Sequence, residues 1–182
     1  MGDPLHFVRI ALIAAAASLA GCAATVHRSA GASAPSAHVP ATASNHIVLN
    51  IEAGPKCAHS DDWAGFRSAW RDALSAEASA QAIPFTMQDG PARPTGQDGT
   101  LVAVHVNDYH WVSTGARYGL GMFTGNAFID AQVRYLDLKT GQVFAEEKID
   151  TSSTAWQGVF SAMTDKQLAA VARETVKDVK GS

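Results

Sequence analysis

Leu101-Val102-Ala103-Val104-His105-Val106-Asn107-Asp108-Tyr109-His110-Trp111 is the stretch that decides the fold. Side chains of a strand alternate between its two faces. Val102, Val104 and Val106 therefore share one face, and His105, Asn107 and Tyr109 the other. This is the pattern of a strand with one face in a core. A second alternating run follows, with Ala127, Ile129, Ala131, Val133 and Tyr135 inward and Asp130, Gln132 and Arg134 outward. Asp137-Leu138-Lys139-Thr140-Gly141 then has the chemistry of a hairpin turn, Gly141 supplying a positive φ. The chain returns as a strand over about 142–151.

Outward from this hairpin, residues 47 to 53 form a β-rich run closed by Gly54 and Pro55, and a short strand fits 84–88. Between them Trp63, Phe66, Trp70, Ala73 and Leu74 recur at helical spacing, with Ser60 as the expected cap and Asp61 and Asp62 at the positive end of the helix dipole. A glycine- and proline-rich loop spans 89–99. Near the end, Thr164 and Gln167 have capping-box spacing, and Leu168, Val171, Ala172, Val176 and Val179 form a second helical stripe. Packing these stripes with few elements predicts an α+β two-layer sandwich, an antiparallel or mixed sheet with two main helices on one face.

The chain has 182 residues, 14 Lys+Arg against 17 Asp+Glu, and a net charge of −3. Such a balance argues against a nucleic-acid binder, which needs clustered cations. A 47% hydrophobic content excludes wholesale disorder. Two cysteines, Cys22 and Cys57, cannot build a disulfide scaffold or an all-cysteine zinc site.

The N-terminus reads as an address. An eleven-residue apolar run, Ile10 to Ala20, is too short to span a bilayer, which takes about 20 residues, but suits a signal peptide. It ends in Leu19-Ala20-Gly21-Cys22, which resembles the bacterial lipobox at all four positions. Small residues before the cysteine admit a peptidase, and the thiol can carry a diacylglycerol. The expected organisation is a signal peptide over 1–21, the lipidated Cys22 with a flexible Ala/Ser/Pro tether over 22–45, and one globular domain over 46–182. Asp after the modified cysteine favours inner-membrane retention in enterobacterial lipoproteins; here Ala23 follows, which points to the outer membrane, with the domain in the periplasm.

Ala116 to Gly121, Tyr135-Leu136-Asp137 and Lys139 to Val143 resemble a family of small proteobacterial lipoproteins of uncharacterised function. The resemblance covers about 101–180 and implies the fold and the envelope location. It brings no catalytic residues.

Several residues invite a chemical reading. Asp108 and His110, two apart on one strand, would serve a periplasmic enzyme as an oriented general base. His105 and His110, five apart, point to opposite faces of a regular strand and make a poor metal pair. Gly119 to Gly125 lacks the Lys-Ser/Thr of a P-loop. Leu120, Met122 and Phe123 within it either plug the core or contact a protein partner or lipid. Cys57 either is a buried inert thiol or, beside Lys56 and a helix N-terminus, a reactive one that pairs between chains. No cofactor or metal is expected. The sequence thus favours a non-enzymatic, membrane-anchored lipoprotein with an envelope protein partner, serving protein binding, assembly or maintenance; the alternatives are the Asp108/His110 enzyme and a tethered inhibitor or immunity protein.

Overall fold

The computed structural model describes residues 25–30, 39–111, 128–152 and 163–181. Six strands, β1 (Thr25–Ala30), β2 (Ile47–Ala53), β3 (Phe85–Gln88), β4 (Thr100–His110), β5 (Phe128–Asp137) and β6 (Val143–Ser152), form one sheet in the order β1-β6-β5-β4-β2-β3. The sheet is mixed: β2 runs parallel to both β3 and β4, and every other pair is antiparallel. Helices α1 (Trp63–Ala80) and α2 (Met163–Lys180) pack together and lie on one face. The α+β two-layer arrangement expected from the stripes is the one found.

Each helix buries the stripe its spacing defines. Phe66, Trp70, Leu74 and Ala78 of α1 and Leu168, Val171, Ala172, Val176 and Val179 of α2 join one core with Ile47, Leu49, Ile51, Val102, Val104, Val106, Ile129, Ala131, Val133 and Tyr135. The opposite face holds a smaller core: Val48, Leu101, Ala103, Leu136 and Leu138, with Ala92 of the 89–99 loop against it. Asn50, 1% exposed, fixes that loop by donating from Nδ2 to the carbonyls of Gln88 and Gly90. The β5–β6 hairpin follows its turn chemistry. Gly141 has φ +78°, its N–H reaches the Asp137 carbonyl at 2.7 Å, and Lys139 N–H donates to Asp137 Oδ1.

Three expectations need correction. The tether does not run free to residue 45, because Thr25–Ala30 pairs antiparallel along β6, Thr25 opposite Ser152 and Ala30 opposite Glu147. An edge strand is held by main-chain hydrogen bonds, so no apolar period announces it. Val39 and Ala43, 3% and 5% exposed, also belong to the main core, and Thr100 Oγ1 donates to the Ala43 carbonyl, so the domain reaches N-terminal of residue 46. Ser60 is no cap: α1 starts at Trp63, and Ser60 Oγ donates to the Asp62 carboxylate. Likewise α2 begins at Met163, one residue ahead of Thr164.

The third correction falls on the deciding strand. Val106 sits opposite Ala131 but Asp108 opposite Asp130, so Asn107 is an extra, bulged residue. A bulge shifts the two-residue alternation. Tyr109 therefore lies on the helix side, stacked on Phe66 with ring centroids 4.2 Å apart and planes at 13°.

Candidate functional site

The chemically richest end of the molecule is where β2 finishes, β4 bulges and α1 begins. Gly54 makes the junction possible. Its N–H donates to the Val106 carbonyl at 2.8 Å, and a Cβ there would stand 2.8 Å from that same oxygen. The turn that follows carries Lys56, Cys57 and Ser60. Asp62, at the N-cap of α1, accepts hydrogen bonds from Ser60 Oγ and Tyr109 Oη. Trp63 and Trp111 complete an aromatic group around Phe66 and Tyr109, with centroids 5.8 to 6.3 Å apart for the Trp63–Phe66, Trp63–Tyr109 and Phe66–Trp111 pairs.

Three groups at this end, Lys56, Cys57 and Tyr109, are biased toward their protonated forms. Burial, reinforced by the Asp62 carboxylate, pushes the Tyr109 hydroxyl well above the usual phenol range. Cys57 is buried, and burial pushes its thiol up, assisted by Asp108 and offset in part by Lys56. Lys56 and the helix N-terminus would lower a thiol pKa, but desolvation outweighs them, so the thiolate is disfavoured. The Lys56 ammonium is held above its ordinary value by its hydrogen bond and charge pairing with Asp108.

Asp108 is engaged by groups other than His110. Asp108 Oδ2 pairs with Lys56 Nζ at 3.0 Å, and Oδ1 accepts the Tyr109 N–H at 2.9 Å. Each carboxylate oxygen thus has a partner of its own, the Lys56 ammonium on one and the Tyr109 main chain on the other. His110 is exposed, its ring 6.5 Å from that of Phe128. The bulge also turns His110 to the face of His105, contrary to the regular-strand expectation. Five residues along the strand still separate the two by about 15 Å. Among the described residues no group of three or more His, Cys, Asp or Glu side chains is placed to hold a metal ion.

What sequence reading missed is a row of aspartates. Asp108, Asp130 and Asp150 are register partners across β4, β5 and β6. Lys56 pairs with the first and Lys148 with the second, at 3.5 Å, and Asn107 Nδ2 donates to Asp130 Oδ1. Acids at alternating positions of separate strands do not reveal their register in sequence. Cys22 with Leu19, Ala20 and Gly21, and the group Leu120, Met122 and Phe123, lie outside the described residues. Among the described residues no helix is long and apolar enough to cross a membrane.

No family model matches this chain, and no curated protein matches it. Its fold is similar to that of solved structures of low sequence identity. PelC from Paraburkholderia phytofirmans, crystallised as a dodecamer, superposes with a TM-score of 0.51 at 13% identity, over 87% of this chain and 98% of that one. XCC0632 from Xanthomonas campestris gives 0.46 at 13% identity, over 85% and 90%. Lipoprotein GNA1162 from Neisseria meningitidis gives 0.35 at 11% identity, over 71% and 97%.

Proposed function

We propose that the chain is a non-enzymatic bacterial lipoprotein, anchored in the outer membrane through an acylated Cys22, whose periplasmic domain is a protein-binding, envelope assembly or maintenance factor. The anchor rests on Leu19-Ala20-Gly21-Cys22 at the end of an eleven-residue apolar run. The observation that supports the non-enzymatic half is the engagement of Asp108 by Lys56 and by the Tyr109 N–H, an ion pair and a main-chain contact that give this carboxylate a structural role. Leu120, Met122 and Phe123 are the proposed partner contacts.

The test sets the two readings apart in the full chain. Asp108→Ala with His110→Ala should leave the envelope phenotype of a deletion strain complemented as well as the wild type does. Polar replacements at Leu120, Met122 or Phe123 that keep the wild-type Tm should fail to complement. The reverse pattern supports the periplasmic enzyme. A second reading, self-assembly, is favoured by the likeness to PelC, which is a dodecamer. Light scattering on the purified protein decides it: a mass several times that of one chain supports assembly, and the mass of a single chain refutes it.

A further inference from the structure

The sheet has two borders, β1 and β3. The pairing of β3 with β2 leaves half of the β3 main chain unused. Successive residues of a strand aim their N–H and C=O groups alternately at the two sides of the strand, so a border strand bonds through every second residue. The Ile47 N–H donates to the Pro84 carbonyl at 2.9 Å, which sets the phase: Pro84, Thr86 and Gln88 face β2, and Phe85 and Met87 face outward. Among the described residues no hydrogen bond reaches the outward main chain of Phe85 or Met87. Each offers one N–H and one C=O at the rim, the row of groups through which an added strand binds.

Charged side chains on a border strand block such additions. Gln81 to Gln88 carries none, and Pro84 removes no outward donor because it lies on the side of β2. Thr86 is exposed, and Phe85, Met87 and Gln88 are half-buried. Phe85 and Met87 pack against the main core on the helix side, while Thr86 Oγ1 on the open side lies 3.2 Å from His46 Nε2.

The strand whose chemistry fits this rim is β3 itself. Directly opposite residues of an antiparallel pair exchange both of their bonds at every second position. With Thr86 opposite Thr86 of a second copy, Phe85 stands opposite the second copy's Met87, and Met87 opposite its Phe85. This register uses every outward N–H and C=O of both strands, whereas centring on Phe85 or on Met87 leaves one residue of each β3 without a β3 partner. It sets Asp89 against the second copy's Ile83, so like charges do not meet. It also brings Phe85 and Met87 of the two copies side by side on the helix face, which extends the core across the boundary.

We propose that β3 pairs antiparallel with β3 of a second copy about a two-fold axis through Thr86, joining two six-stranded sheets into one with the helices of both copies on the same face. The proposal names the surface behind the self-assembly reading above and rests on that reading; it needs neither the acylated Cys22 nor residues 112–127.

Disulfide trapping in intact bacteria producing the full chain tests it. The parent carries Cys57→Ala, and Thr86→Cys and Gln88→Cys are added to it separately. At the two-fold axis the copies of residue 86 form a non-hydrogen-bonded pair with Cα atoms about 4.5 Å apart, within disulfide range. The copies of residue 88, on the same face but four residues out of register, are about 14 Å apart. After mild oxidation with copper phenanthroline, the expected result is about tenfold more disulfide-linked dimer from Thr86→Cys than from Gln88→Cys, with any dimer of the parent, which retains Cys22, subtracted. No dimer from Thr86→Cys, or equal amounts from the two variants, overturns the pairing. A disulfide from position 86 to a different protein overturns the second copy as occupant and gives the edge to a partner's strand. Light scattering separates this proposal from the reading it rests on: a multimeric mass without the position-86 dimer overturns the β3 pairing alone, and a single-chain mass overturns the pairing and self-assembly together.

Discussion

Tyr109 joins two elements with one side chain: its ring stacks on Phe66 of α1, and its hydroxyl donates to Asp62 at the N-terminus of that helix. Tyr109→Phe keeps the ring and removes a hydrogen bond to a carboxylate, a loss of about 1 to 2 kcal/mol, measurable as a lower urea midpoint at unchanged m-value. The hydroxyl also makes stability depend on alkaline pH. Its pKa is raised in the folded protein, so the native state keeps a proton that the unfolded chain releases above about pH 10. The contribution is full below that pH and falls as pH rises through the window above it. Urea denaturation repeated between pH 8 and pH 11 should show wild-type stability declining more steeply than that of Tyr109→Phe; parallel curves would refute the linkage. Ala82 gives a second residue-scale prediction. It has φ +55° just after α1, where glycine is the unstrained choice. Ala82→Gly should raise stability by up to about 1 kcal/mol, read as a higher Tm.

Elements were legible from the sequence where burial imposes a period, and illegible where main-chain bonding alone decides. The helical stripes from Trp63 to Leu74 and from Leu168 to Val179 announced α1 and α2, and the alternation around Val102 and Val133 announced β4 and β5. Leu168 is 1% exposed on the first of these grounds. Leu168→Ala should therefore cost about 2 to 5 kcal/mol in chemical denaturation. The bulge at Asn107 had no signal in composition, and it inverted the facing of Tyr109 and the relation of His110 to His105. The polar hexapeptide of β1 had none either, since an edge strand borrows its order from β6. Beginning the chain at Asn45 removes β1 together with the buried Val39 and Ala43. That truncation should unfold at lower urea than a chain beginning at Ala23; equal midpoints would show that β1 and residues 39–43 contribute nothing to stability.

On the scale of the whole molecule, a sandwich built from these elements concentrates its unusual chemistry at one end and its turn chemistry at the other. Two aspartates of the row, Asp108 and Asp130, pair with Lys56 and Lys148, and burial disfavours the Cys57 thiolate. The candidate site was half legible. Asp108 and His110 are where a strand reading puts them in sequence, but the partner that decides Asp108's role, Lys56, comes from a turn 52 residues away. No local pattern carries a contact of that range. The proposed role depends on the chain being held to a membrane by its cysteine. Metabolic labelling with a palmitate analogue in bacteria producing the full chain, followed by membrane fractionation, measures this directly for wild type and Cys22→Ser. The account predicts a labelled wild type in the membrane fraction and an unlabelled, unprocessed Cys22→Ser variant; equal labelling of the two, or an unlabelled wild type, would contradict it.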